Sequence, residues 1–313
     1  MPDIDISIII PTYNRLWSLP KAIESCRNNA CSAEIIVVDD GSTDGTWQWL
    51  EQQGCIGKHQ QSNMGKCAAV NKAFEIARGK YVRFLDSDDM LNPKANDEQF
   101  LLAETKKADI VVSGYCNFNS EGQSFAPQPW VVTDDFIAQQ LGEGDGSHYS
   151  AFLFRKGLIN DIPHQDEFAY RDDRLFILEA ALKNPALTVH PGTALLHRVG
   201  AGDRLQNSSG LKQQTQNRQH FELYKLILNR LKASDQLTER RKNAALNVLW
   251  PLAHWVAQYD LAKAQTIVDF IQELKPAFNF PETGLLGTLY KTIGFIATER
   301  LLNYRRAVKK IFN

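Results

Sequence analysis

The sequence predicts an α/β fold built on a mostly parallel sheet and followed by a helical C-terminal region. Three observations lead there. Over the first 115 residues, short apolar runs alternate with helical stretches, the pattern of strands joined by crossover helices. Several of those runs end in polar turns rich in Asp, Asn, Gly or Thr. From about Leu211 the texture changes to long helical segments.

Taken in order, Ile6–Ile10 reads as a strand closed by Pro11, and Leu19–Arg27 as the helix behind it. Ile35–Val38 is a second buried strand, closed by Asp39-Asp40-Gly41-Ser42, and Thr46–Gln53 looks helical. A short polar strand near Lys58–Gln61 precedes a helix over Gly65–Ala77, where Ala68, Ala69, Ala73 and Ala77 permit close packing and Gly79 is the stop. Tyr81–Leu85 is the next strand, Ala95–Thr105 the next helix and Ile110–Gly114 the next strand; buried parallel strands read as such near-continuous apolar runs. Residues 117–150 are less regular and read as strands and loops around a cleft mouth. Ala151–Phe154 resumes strand character, Tyr170–Leu182 is an amphipathic helix with an acidic start, and Ala194–Arg198 is a short strand. Gly200–Gly210 is a polar loop and a candidate lid. Helices follow near Gln213–Ala233, Leu237–Gln258, Leu261–Lys275 and Gly284–Lys310, with a break at Asn279–Thr283. Pro251 is expected to kink or break the second of them.

Composition narrows the function classes. The 313 residues are 43% hydrophobic, enough for one large or two modest domains. A net charge of −1 gives no global pull toward nucleic acid. The N-terminus lacks a basic region followed by an apolar stretch, and no uncharged apolar run reaches the roughly 18 residues of a membrane span. Five scattered cysteines contain no Cys-x-x-Cys pair, so free thiols in a reducing compartment, the cytoplasm, are expected.

Four segments fall at the ends of successive strands and should line one edge of the sheet, where ligands of open α/β folds bind. Pro11-Thr12-Tyr13-Asn14 follows the first strand; Thr12 can hydrogen-bond a base edge and Tyr13 can pack on it. Asp39-Asp40 follows the second, and either carboxylate can accept from a base N–H or a ribose hydroxyl, or Ser42 and Asp44 can simply cap a helix. Asn63-Met64-Gly65-Lys66 opens the third helix, where free N–H groups favour anions. Asp86-Ser87-Asp88 follows the fourth strand, and its carboxylates suit a hard divalent cation shared with phosphates.

Together these segments resemble glycosyltransferase family 2, a family of inverting nucleotide-sugar transferases with the A-type, Rossmann-like glycosyltransferase fold. The resemblance rests on Ser7–Asn14, Ile36–Thr46, Asn63-Met64-Gly65 with Ala68-Ala69-Val70-Asn71, and Ala77–Asp89. It covers residues 5–115 strongly and 148–205 more weakly, and implies a catalytic domain over residues 1–210, its nucleotide-sugar half at 1–115 and its acceptor half at 116–210; the helical region at 211–313, read from its texture, lies outside it. It further implies that Asp40 contacts uracil or ribose with Asp39 beside it, that Asp86 approaches the ribose and is a further metal ligand, that Ser87 is among the nucleotide-sugar-binding residues, and that Asp88 is the main ligand of Mn²⁺ or Mg²⁺. Many members carry Arg where Val70 stands, which leaves phosphate contacts to Lys66, the metal or a later loop. The general base is expected at the start of a helix, and Tyr170-Arg171-Asp172-Asp173-Arg174-Leu175-Phe176 occupies that place. Asp172 is favoured by spacing, with Asp173 its close rival, since Arg171 replaces the expected Glu. His197 is a further candidate metal ligand, and Arg198 and Arg204 are candidate phosphate clamps.

The last helix has six basic side chains from residue 281 onward against Glu282 and Glu299, an excess of four. It is expected to pack within the protein, against a second copy, or peripherally on an anionic membrane. The expected reaction is transfer of a sugar from a nucleoside diphosphate sugar, UDP-linked, to a glycan or lipid-linked acceptor in surface polysaccharide or lipopolysaccharide synthesis. The rival readings are a sugar nucleotidyltransferase, for which the Gly-rich basic loop after the first strand is missing, and an inactive glycan-binding scaffold.

Overall fold

The computed structural model describes residues 3–119, 121–200 and 210–312. The chain forms two compact units, one of Met1–Gln140 with Gly144–Asn207, the other of Leu141–Glu143 with Ser208–Asn313. In the first unit β1 (Ile6–Thr12), α1 (Leu19–Ser25), β2 (Ala33–Asp39), α2 (Thr46–Glu51), β3 (Gly57–Gln60), α3 (Lys66–Ile76) and β4 (Tyr81–Phe84) alternate as the sequence pattern requires. They are followed by β5 (Met90–Leu91), α4 (Ala95–Lys106), β6 (Ile110–Phe118), α5 (Phe136–Ala138), β7 (Leu153–Arg155), α6 (Lys156–Ile159), α7 (Asp172–Ala181) and β8 (Leu187–Arg198).

The sheet runs β3-β2-β1-β4-β7-β6-β8-β5. β1 lies parallel to both β2 and β4, with Ile9 opposite Ile36 on one side and Phe84 on the other. Its Ile6, Ile8, Ile9 and Ile10 are wholly buried, which is why this strand is apolar at successive positions. β7 runs antiparallel to β4 and β6, and β5 antiparallel to β8. The chain winds outward from β1 to β3 and then crosses to β4. The crevice between the carboxyl ends of β1 and β4 is therefore the switch point where α/β sheets bind ligands.

β8 is much longer than the expected Ala194–Arg198. Pro191 and Gly192 interrupt its pattern, and the β6–β8 register shifts around Gly114. Pro is tolerated at such an irregularity, where no ladder N–H is needed. Ser113 Oγ donates to the Gly192 carbonyl at 2.8 Å and lies 3.0 Å from His190 Nδ1, pinning the bulge. Gly114 is required there because a Cβ would come within 2.3 Å of the Gln128 carbonyl oxygen. β5 has only two residues, too few to leave a sequence pattern.

The second unit contains α8 (Gly210–Ala233), α9 (Glu239–Ala257), α10 (Leu261–Leu274) and α11 (Gly284–Phe312). Of the kink or break expected at Pro251, the break does not occur, and α9 runs through it. Buried Leu249, Trp250, Leu252 and Ala253 hold the helix on both sides of the proline, so packing outweighs the one lost hydrogen bond. The interruption falls instead at Gly294 of α11, with φ 79° and ψ 175°, a conformation open to glycine.

Arg83 of β4 is fully buried, and neutral oxygens hold its guanidinium. Its guanidinium donates to Asn96 Oδ1 at 2.8 Å, to the Ser150 carbonyl at 3.2 Å and to Gln99 Oε1. Burial lowers its pKa to about 10. Arg83→Met would leave these acceptors buried and unsatisfied, at about 1–3 kcal/mol for such a group. The expected outcome is a loss of about 2–4 kcal/mol in urea unfolding, with the sheet topology retained.

Candidate active site

The end of β1 forms one wall of the crevice. Thr12 Oγ1 is buried there without a hydrogen-bond partner, a polar atom that a ligand could satisfy. Pro11 is buried and Tyr13 is 44% exposed beside it. Asn14, at φ 51°, ties this turn to the next: its N–H donates to Ser42 Oγ at 2.8 Å, and its Oδ1 accepts from the Thr43 N–H at 2.8 Å.

The two aspartates after β2 are both buried and hold loops. Asp39 accepts from the Ser42 N–H at 3.1 Å, from Gln60 Nε2 at 3.2 Å and from the Ser42 hydroxyl. Asp40 Oδ1 accepts from the Met64 N–H and from Gln61 Nε2, both at 2.8 Å, and its Oδ2 accepts from the Gly65 N–H at 2.9 Å. It thus fixes the start of α3, where Gly65 takes φ +95° and Asn63 stays exposed. With about four lone-pair sites on a carboxylate, each keeps roughly one acceptor site for a ligand.

Beyond β4 the chain alternates. Asp86 and Asp88 are partly exposed, whereas Ser87 and Asp89 are buried. The Ser87 carbonyl accepts from Ser18 Oγ at 2.9 Å. Asp89 Oδ1 accepts from the Arg198 N–H at 2.8 Å, and its Oδ2 lies 3.3 Å from His197 Nδ1. Arg198 is itself buried, donates from Nε to the Asp88 carbonyl at 2.9 Å, and lies over the rings of Phe118 and Trp17. Those contacts join the acidic turn to the end of β8. Arg204 lies outside the described residues, as does most of the expected lid.

In residue type, Asp86, Asp88 and His197 suit a divalent cation. Asp86 and Asp88 offer hard carboxylate oxygens at the cleft. His197 has one ring nitrogen held by the buried Asp89, the arrangement that orients metal-ligating histidines. Among the described residues, the group whose ligand atoms come together is a different one. Ligand atoms of His164, Asp172 and Asp173 lie within 4.8 Å of one another. His164 Nδ1 and Asp172 Oδ2 bond each other directly, and Asp173 faces an ammonium that lies closer still to Asp86.

That ammonium belongs to Lys66, in the first turn of α3. Its Nζ lies 2.8 Å from Asp86 Oδ1 and 3.3 Å from both oxygens of Asp173. Burial works against its charge, but Asp173 and Asp86 outweigh it and hold Lys66 well above its ordinary range. The Asp173 side chain is 40% open, yet desolvation by the cleft walls raises its pKa; Lys66 pulls it down, and Asp86 and Asp172 push it up again. The net direction is upward.

Asp172 faces the other way, with its side chain 4% exposed. Its Oδ1 accepts from the Gln165 N–H at 2.8 Å and its Oδ2 bonds His164. His164 in turn contacts the Tyr149 hydroxyl through Nε2 at 2.8 Å, and its backbone is clasped by the Asn71 side chain at 2.8 and 2.9 Å. Neither His164 nor Tyr149 carried a signal in the sequence. His164 lies in a loop, where no helical or strand period ties it to Asp172 eight positions on.

The sequence profile described as glycosyl transferase family 2 matches residues 7–163, half of the chain. Among curated proteins, the glycosyltransferase GlyG of Streptococcus pneumoniae is 28% identical over 189 residues, 54% of this chain and 62% of that protein. TuaG of Bacillus subtilis, named as a teichuronic acid biosynthesis glycosyltransferase, is 33% identical over 138 residues, 42% of this chain and 52% of that protein. The chain thus spans less than two thirds of these relatives. Among solved structures, residues 1–349 of S. aureus TarS superpose with a TM-score of 0.65 at 20% identity, covering 97% of this chain and 92% of that one. At that identity the likeness concerns the fold. TarS was also solved with UDP and with UDP-GlcNAc.

Proposed function

The chain belongs to glycosyltransferase family 2, and from that premise we propose that it moves a sugar from a UDP-linked donor to a hydroxyl of a glycan or lipid-linked acceptor, with inversion. The observation that carries this reading is the meeting of Asp86 and Asp173 on one ammonium at the switch point. It brings the end of a sheet strand and the start of α7 to one cleft floor. The UDP complexes of TarS support the donor class, and the name of TuaG supports a surface polysaccharide as acceptor.

In this reading Thr12, Tyr13, Asn14, Asp39 and Asp40 shape the nucleoside end, with Pro11, Asn63 and Gly65 setting the backbone around it. Asp86 faces the ribose with Ser87 buried behind it, and Lys66, Arg198 and Arg204 serve the diphosphate. Asp88, Asp86 and His197 would hold Mn²⁺ or Mg²⁺, which offsets diphosphate charge when bound. Asp173 is the base. Asp172 was favoured by spacing, but its two oxygens are engaged away from the cleft, whereas Asp173 opens onto it. Asp173 accepts the acceptor hydroxyl proton while that oxygen forms its bond to the anomeric carbon. The bond from that carbon to the phosphate oxygen breaks, and UDP leaves with the electron pair.

The acceptor side also suggests a place in the cell. None of the described helices is long and apolar enough to cross a membrane. On α11, Leu301 is 53% and Tyr304 72% exposed, beside exposed Arg300 and Arg305. From Arg300 onward the sequence has five basic and no acidic residues. This charge is complementary to an anionic bilayer, the partner we assign to that face, and the five free thiols accord with the cytoplasmic side.

Asp173→Asn should lower the turnover number about 10²–10⁴-fold in a UDP-release assay while calorimetry shows UDP binding with Mn²⁺ retained. Full activity would remove Asp173 from the reaction. Asp88→Ala should lose metal-dependent UDP binding with an unchanged melting temperature; undiminished binding would exclude Asp88 as a ligand. In the wild type, activity should fall on the acid side with a midpoint above 3.8, since a base must be unprotonated and Asp173 is shifted upward. The full chain should co-sediment with phosphatidylglycerol-containing vesicles and not with pure phosphatidylcholine, and a paired Arg300→Glu, Arg305→Glu change should abolish this. Equal sedimentation with both lipids, or a dimer in light scattering that occupies this face, would overturn the membrane assignment.

A further inference from the structure

Three buried groups behind the proposed base serve no step of the reaction as written. Tyr149, His164 and Asp172 form a continuous chain, Tyr149 Oη to His164 Nε2 at 2.8 Å and His164 Nδ1 to Asp172 Oδ2. We infer that His164 is a positioning residue for the transfer, acting through Asp172 to hold Asp173 at the cleft; this rests on the reading of Asp173 as the base.

The argument begins with burial. His164 sits among aromatic rings, stacked on Phe176 with centroids 4.6 Å apart and edge-on to Phe84 at 5.3 Å. An aliphatic side chain would fill such a place without a polar penalty, so a satisfied imidazole there has a directional task. Its direction is fixed at every polar atom. The Asn71 side chain donates to the His164 carbonyl and accepts from its N–H, which ties the loop to α3. An ionised carboxylate accepts only, which would put a ring proton on Nδ1 and, in a neutral imidazole, leave Nε2 to accept from the Tyr149 hydroxyl.

Asp172 and Asp173 are the first two residues of α7. First-turn N–H groups have no intrahelical partner, and a helix start is the part most free to fray or rotate. Holding both oxygens of Asp172, one by His164 and one by the Gln165 N–H, fixes the rotation of that turn about its axis. Asp173 follows about 100° further round, which brings it onto Lys66 and the cleft. A displacement of about 1 Å at a reacting group can cost a hundredfold in rate. The same α3 that contributes Lys66 also contributes Asn71, so one helix sets the base from the front and from behind.

The test uses the full chain with Mn²⁺ and the nucleoside diphosphate sugar that it hydrolyses fastest from a panel, water serving as acceptor. His164→Ala should lower the turnover number about ten- to a hundredfold with the Kd for UDP unchanged within about twofold. The double variant His164→Ala, Asp173→Asn should be no slower than Asp173→Asn alone, because a positioning residue has nothing left to position. Tyr149→Phe, which removes one oxygen and keeps the ring, should show a smaller loss with the same non-additivity, and it carries the test if His164→Ala does not fold. Unchanged turnover in the single variants, multiplied losses in the double variant, or a UDP affinity that falls with the rate would overturn the inference. An active Asp173→Asn would instead remove the base assignment on which it rests.

Discussion

Lys66 is the constraint on which the cleft depends. Asp86 and Asp173 come from distant parts of the chain, and two carboxylates repel when brought to one floor. The ammonium between them, within 2.8 Å of one and 3.3 Å of the other, makes their approach favourable. Its own place is determined by α3, whose start is bound by Asp40 through the N–H groups of Met64 and Gly65. A carboxylate at the end of β2 therefore sets the helix, the helix sets the lysine, and the lysine brings together the two sides of the cleft.

The acidic residues of the site divide by direction. Asp40, Asp89 and Asp172 are buried and bind the protein itself: a helix start, the end of β8 and a histidine. Asp86, Asp88 and Asp173 are the partly exposed members. In the turn after β4 this follows from local alternation, with Asp86 and Asp88 outward and Asp89 inward. At α7 it follows from the helix, where consecutive residues point about 100° apart. An adjacent aspartate pair thus supplies one structural and one cleft-facing carboxylate.

Much of the fold was legible because burial on both faces leaves a simple mark. The isoleucine run of β1 and the alternation of strands with helices define the parallel sheet and its ligand edge. The misreadings have specific causes. β8 was shortened because Pro191 and Gly192 interrupt the pattern, and cross-strand contacts from Ser113 are needed to show that the strand continues. Pro251 looked like a break because local propensity takes no account of the buried residues around it. Gly294 looked unremarkable because a glycine's freedom is visible only when its φ is known.

The sequence by itself determined which chemistry this protein can hold: carboxylates at a strand end, an anion-favouring helix start, an acidic pair opening a later helix, and a motif order that marks a family. These are properties of residue type and short spacing. Tertiary structure alone decided which member of each pair faces the cleft and what stands behind it. Asp172 and Asp173 are chemically identical and adjacent, so no spacing rule separates them. Their difference arises from His164 and Gln165 on one side and Lys66 on the other, contacts made between segments that only folding brings together.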